Sequence, residues 1–199
     1  IDSGVATDHE LLKDRLVESN VNMSGSGNPN TAEDDYGHGT HVAGIIGATP
    51  NNGIGLSGIL WDVDIYAANF NASSNTISYI VDAVSSQVTN GATAVNLSLG
   101  LNPAASSTFN PYEKPYTQSD LDGTAKQCAI GMNTLLNAGK EFVVVQSAGN
   151  GVIDTRLGTN VYRSVDATLN GLYCSVRTNT RYGSMTTAQV KEVYNRIIV

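Results

Sequence analysis

Apolar segments that alternate with stretches of helical periodicity constrain this 199-residue chain more than any other feature. The first segment, Asp64-Ile65-Tyr66-Ala67-Ala68-Asn69-Phe70, reads as a mostly apolar strand. The second covers residues 92–100 and reads as a buried strand ending in Gly100. The third, Phe142-Val143-Val144-Val145, is a continuous apolar run of the kind found in strands covered on both faces. Between the first two, Ile77, Ile80, Val81, Val84 and Val88 follow the 3.6-residue period and predict a helix over 77–88, capped by Thr76. Between the second and third, Leu121, Ala125, Cys128, Ala129, Met132, Leu135 and Leu136 repeat at the same period. Ser119 is the expected cap of that helix, Asp120 and Asp122 suit its first turn, and Gly139 ends it. A short helix is expected over 187–194 and a strand over 196–199, whereas residues 20–35 and 101–117 read as loops. Such alternation predicts an α/β fold, a mostly parallel sheet with helices on both faces. In that architecture functional groups gather beyond the carboxyl ends of the strands, and Asp2, Ser98 and Asn150 all fall at such ends.

The length and a hydrophobic share of 41% allow one domain with a substantial core, over residues 1–199. A net charge of -7 argues against nucleic-acid binding, which needs a basic face to neutralise phosphates. No apolar run approaches the roughly 20 residues that cross a bilayer, so no membrane partner is expected. The chain opens on Ile1 and closes on Ile197-Ile198-Val199, as if cut inside strands at both ends; a missing targeting signal therefore carries no weight. Two cysteines are too few for a disulfide framework and lack metal-site spacing. Cys128 lies on the apolar stripe and reads as a buried thiol, with a bridge to Cys174 as the alternative.

Chemistry concentrates in Asp35-Tyr36-Gly37-His38-Gly39-Thr40-His41-Val42-Ala43-Gly44. His38 opens a helix whose Gly39, Ala43, Gly44 and Gly47 let neighbouring backbone approach. A histidine that receives and returns a proton needs such a fixed position. The competing reading is a helix-terminal histidine without a role. His41 lacks the i, i+4 spacing and the intervening Glu of a zinc pair, and reads as a core histidine; His9 reads as a surface residue. Asp2, followed by Ser3-Gly4, could orient an imidazole. Asn150, after Ser147-Ala148-Gly149, could donate to a developing oxyanion.

Asp-Ser-Gly at 2–4, His-Gly-Thr-His-Val-Ala-Gly at 38–44, Asn-Leu-Ser-Leu-Gly at 96–100 and Ser-Ala-Gly-Asn at 147–150 together resemble, in that order, the subtilisin-like serine proteases. The resemblance keeps its motifs in register to about residue 151 and continues more loosely to Val199. It implies that Asp2 orients His38, that His38 is the general base and acid, and that Asn150 supplies the oxyanion-hole amide. It also implies that Ser98, Leu99 and Gly100 pair with an extended peptide or protein substrate, and that Ser147, Ala148 and Gly149 wall the pocket for the side chain before the cleaved bond. Pro50-Asn51-Asn52-Gly53-Ile54-Gly55-Leu56 resembles a loop that binds calcium in some relatives. Leu11 falls where the completing Asp is expected, so no cofactor or metal is expected. A secreted or cell-surface location follows from the resemblance alone.

The resemblance breaks at the nucleophile. Family members carry Gly-Thr-Ser-Met-Ala at the start of a long helix, whereas the nearest string here is Tyr182-Gly183-Ser184-Met185-Thr186-Thr187, ahead of the expected last strand. The reading is therefore a C-terminally truncated, incomplete peptidase domain that is inactive alone, because triad members act as a unit. An open sheet edge would favour self-association. The alternatives are a non-catalytic relative that holds a peptide or a partner chain, and a nicked enzyme whose serine sits on another chain.

Overall fold

In the computed structural model, described residues are 1–17, 21–22, 32–69, 77–99, 118–147, 152–154, 161–163, 176 and 182–199. They fall into two compact units, Ile1–Val95 and Asn96–Val199.

In the first unit, β1 (Val21–Asn22) pairs in parallel with β2 (Ala68–Asn69), Val21 opposite Ala68 and Asn22 opposite Asn69. Two isolated parallel bridges extend this arrangement, Asp2 to Asn69 and Leu16 to Ile65. Among the described residues, the strand expected over 64–70 is thus a two-residue ladder plus two bridges, at Asn69 and Ile65, because its partners come from discontinuous pieces of chain. Conversely, the expected loop at 20–35 contains β1; two strand residues among Ser, Gly and Asn leave no periodicity to read. Helix α1 (His38–Gly47) buries Gly39, Ala43 and Gly47. Ala43 joins Val5, Leu12, Ala32 and Ala67 in a core cluster, with Leu16 and Ile65 packed against it. Helix α2 (Ile77–Thr89) starts where the period predicts and buries Ile80, Ala83, Val84 and Val88. Its Gln87 is also buried and donates from Nε2 to the Ala67 carbonyl at 2.9 Å, tying the helix to the segment that carries β2. Outside this core, Ile59, Leu60 and Trp61 lie exposed, Trp61 at 63%, and the Arg15 guanidinium holds the Trp61 carbonyl at 2.7 Å.

β3 (Ala94–Leu97) spans the division between the units, and it stands first in a three-stranded sheet in the order β3, β4 (Val143–Gln146), β7 (Ile197–Ile198). β4 and β7 run parallel, with Val144 opposite Ile197 and Val145 opposite Ile198. Helix α3 (Gln118–Asn137) packs against α4 (Thr187–Tyr194). Ala125, Cys128, Ala129, Met132 and Leu135 of α3 are buried, as are Val190 and Val193 of α4. Cys128 is thus the buried residue its stripe predicts, while Cys174 lies outside the described residues. Ser119 lies inside α3 rather than capping it, because the first turn starts one residue earlier. The last turn ends as expected: the N–H groups of Gly139 and Lys140 reach back to the carbonyls of Leu136 and Leu135. Helix α4 begins with a capping box, in which Gln189 N donates to Thr186 Oγ1 and Thr186 N donates to Gln189 Oε1. An antiparallel pair, β5 (Val152–Asp154) and β6 (Val161–Arg163), occupies a stretch that the sequence left irregular. Parallel ladders joined through helices make this an α/β chain, as expected. Among the described residues no helix is long and apolar enough to cross a membrane.

Candidate active site

A helix begins with backbone N–H groups that have no intrahelical acceptor, and here neighbouring side chains supply the acceptors. Gly37 is the N-cap of α1, at φ +95°, and has no side chain to offer. Asp34 replaces it: Oδ1 accepts from Tyr36 N at 3.0 Å and Gly37 N at 2.8 Å. Its Oδ2 accepts from Thr40 N at 2.9 Å and from the Thr40 hydroxyl at 2.5 Å. Ser3 takes a further amide, accepting from Gly39 N at 2.9 Å, while its own hydroxyl donates to Asp34 Oδ1 at 2.9 Å. Partial burial alone would raise the Asp34 carboxyl, but the hydrogen bonds from the Thr40 side chain and from the N–H groups of Gly37, Thr40 and Tyr36 outweigh it. They bring the carboxyl down to about 2.

These contacts set the first turn of α1 directly on the turn at residues 2–4. The absence of a side chain at Gly39 permits this, since a Cβ there would stand 3.0 Å from the Cβ of Asp2. His38 is thereby delivered to Asp2, with Nδ1 and Oδ1 2.7 Å apart. The same oxygen accepts from Ser3 N at 2.7 Å. An ionised carboxylate can only accept, so in the neutral imidazole the contact assigns the proton to Nδ1 and puts the lone pair on Nε2. The Asp2 side chain is 11% exposed and that of His38 47%, so a shielded anion orients an imidazole that faces solvent. Asp2 Oδ2 is buried and has no hydrogen-bond partner among the described residues.

The first unit therefore brings together the two residues expected to perform acid–base chemistry, and adds Asp34, Ser3 and Thr40, which the sequence reading missed. The only available signal was a carboxylate placed just ahead of a helix whose N-cap is Gly. In the second unit, Ser98 and Leu99 follow β3 and Ser147 follows β4. Ser147 N donates to the Leu97 carbonyl at 3.1 Å, and Asn96 Nδ2 donates to Ser98 Oγ at 3.0 Å. Longer contacts, 3.4 Å from Gln146 Nε2 and 3.5 Å from Ser147 Oγ, reach the Leu99 carbonyl. Two segments expected to hold substrate thus lie side by side. Gly100, Ala148, Gly149 and Asn150 lie outside the described residues. Ser184 sits on an exposed turn closed by Met185 N donating to the Tyr182 carbonyl, ahead of α4 and β7.

Two expectations are corrected, those for His41 and Gly44. His41 is exposed rather than part of the core, because α1 turns Gly39, Ala43 and Gly47 inward and leaves position 41 outside. His9 is half-buried, its Nδ1 accepting from Leu11 N at 3.2 Å. Gly44 has open space beside it and accommodates no close neighbour. The residues at the loop that resembles a calcium site do not fit the ion. Leu11 is buried, 6% exposed, and a Cβ on Gly55 would stand 2.6 Å from its Cδ1. Its carbonyl already accepts from Thr49, and Asn52 Oδ1 accepts from Ile54 N.

Residues 1–193 match the model of the subtilase family, peptidase S8. The minor extracellular protease Epr of Bacillus subtilis (strain 168) is 34% identical over 123 residues, covering 61% of this chain and 18% of that protein. Subtilisin DY of Bacillus licheniformis is 33% identical over 118 residues, 58% of this chain and 41% of that protein. The chain thus spans less than half the length of these curated relatives. A crystal structure of the epidermin leader peptide processing serine protease (EpiP) of Staphylococcus aureus superposes with a TM-score of 0.53 at 22% identity. It covers 77% of this chain and 37% of that one, a likeness of fold. With the match running from Ile1 to beyond β6 and into α4, this chain belongs to the subtilase family.

Proposed function

We propose that this chain supplies the acid–base pair of a subtilisin-type serine endopeptidase, which hydrolyses peptide bonds through an acyl-enzyme. The observation that carries the reading is the 2.7 Å contact between His38 Nδ1 and Asp2 Oδ1, which puts the lone pair of the neutral ring on Nε2. Nε2 takes the proton of a serine hydroxyl as its oxygen attacks the peptide carbonyl, and later returns it to the leaving amine. Asp2 holds the tautomer and stabilises the imidazolium between those steps. Asn150 is assigned to the developing oxyanion, Ser98, Leu99 and Gly100 to the substrate backbone, and Ser147, Ala148 and Gly149 to the pocket wall. The substrate is an extended peptide or protein, a reading supported by relatives named as proteases, among them Epr and the cell wall-associated protease of Bacillus subtilis. A secreted or cell-surface setting is supported by the relatives' names, an extracellular and a cell wall-associated protease of Bacillus subtilis.

No Gly-Thr-Ser-Met string occurs in these 199 residues, so the chain alone is expected to be inactive. A fluorophosphonate probe tests both parts. It should leave the chain unlabelled, and stoichiometric label on Ser184 would overturn the expected inactivity. Once a segment bearing the family's serine is supplied, labelling should appear and be lost in His38→Ala. Labelling that survives that substitution would sink the assignment of His38.

A further inference from the structure

Bringing Asp2 and His38 together requires three pieces of chain to meet: the turn at residues 2–4, the approach at 34–37 and the first turn of α1. All three donate to one carboxylate. Asp34 receives the Ser3 hydroxyl from the first, the N–H groups of Tyr36 and Gly37 from the second, and the N–H and hydroxyl of Thr40 from the third. Two of these donors pass the connection on. Ser3 Oγ accepts from Gly39 N at 2.9 Å, and Thr40 Oγ1 accepts from Ala6 N at 2.9 Å. Five donors on two oxygens exceed the roughly four lone-pair sites of a carboxylate, so its hydrogen-bonding capacity is filled. The chain neighbours of His38 on both sides, Gly37 and Gly39, are fixed by this network, as is Ser3, the neighbour of Asp2. The Asp34 side chain bonds to neither His38 nor Asp2.

We propose that Asp34 is a positioning residue that holds the imidazole of His38 in register with the carboxylate of Asp2. This rests on reading Asp2 and His38 as the acid–base pair. An ordinary helix cap would stabilise α1 without controlling that contact; Asp34 differs because it ties the Asp2 turn and the His38 helix to the same two oxygens. Replacement by Asn keeps the size but turns one acceptor into a donor, which then faces N–H groups from the approach or from α1.

The test reads the Nδ1 proton of His38 in the 199-residue chain by proton NMR, with Asp2→Asn identifying the signal by its loss and exposed His41 as an internal reference. In Asp34→Asn that proton should exchange with solvent at least roughly tenfold faster, or vanish, while far-ultraviolet circular dichroism and the His41 ring signals stay as in the parent. An unchanged Nδ1 signal in folded Asp34→Asn overturns the proposal and leaves the pair intact. If Asp34→Asn does not fold, Ser3→Ala decides, since it removes the links from Ser3 to Asp34 and to Gly39 and leaves the other donors to Asp34 in place: a weakened signal supports the proposal and an unchanged one overturns it. A parent chain with no signal distinguishable from Asp2→Asn overturns both the pair and the role of Asp34.

Discussion

Gly39 lies directly on Gly4: a Cβ at Gly39 would stand 2.1 Å from the Gly4 carbonyl oxygen, closer than real Cβ atoms approach. Because the obstacle is backbone, Gly39→Ala must push α1 off the turn that carries Asp2. We expect a loss of about 1–3 kcal/mol in urea unfolding, together with loss of the contact between Asp2 and His38. Gly44→Ala, one turn further along the same helix, meets open space and serves as the contrast. It should stabilise the chain by about 0.4–1 kcal/mol, so a destabilised Gly44→Ala would show that α1 packs differently.

Acid should act through Asp34. Its carboxyl titrates at about 2 in the folded chain against an ordinary 3.8, so the unfolded chain binds the proton more readily. The stabilisation is therefore complete above the ordinary value and is lost as pH falls through the window down to about 2. Melting temperatures measured across that window should fall less steeply for Asp34→Asn than for the parent. Parallel acid limbs would contradict the assignment.

Chelators should leave the melting temperature unchanged, because Leu11 fills with an aliphatic group the place where calcium would need a carboxylate. Leu11→Ala should instead cost about 2–5 kcal/mol, the range for emptying a buried leucine site. A drop in melting temperature on adding EDTA would contradict this account.

Helix α4 is short enough to depend on its ends. Thr186→Ala removes the acceptor for Gln189 N and half of the capping box. We expect a loss of about 1 kcal/mol in denaturant unfolding, and Thr186→Ser should restore most of it. A Thr186→Ala chain as stable as the parent would show that α4 is held by its packing on α3 alone.

What the sequence disclosed depended on whether the cause was local. Helix α2 appears where the apolar period puts it, since burial of Val84 and Val88 is written directly into the spacing, and α4 fills the short helix expected over 187–194. β1, β5 and β6 went unseen because two- and three-residue ladders carry no period; their existence rests on partners elsewhere in the chain. The same division runs through the site. Asp2 and His38 were legible as a family pattern, but Asp34 stands in the acidic run Glu33-Asp34-Asp35 and looked like loop composition. Its importance comes from Ser3, 31 residues away, which no local reading reaches. His41 was misread for a related reason: adjacency to a motif says nothing about which side of a helix faces inward.

The exposed Trp61 has an optical consequence. It is the sole tryptophan of the chain and belongs to the first unit, so indole emission reports on one solvated loop. The native spectrum should already be red-shifted and open to iodide quenching, and denaturant will move it little. A flat fluorescence trace would then say nothing about whether β4, β7 and their helices have come apart.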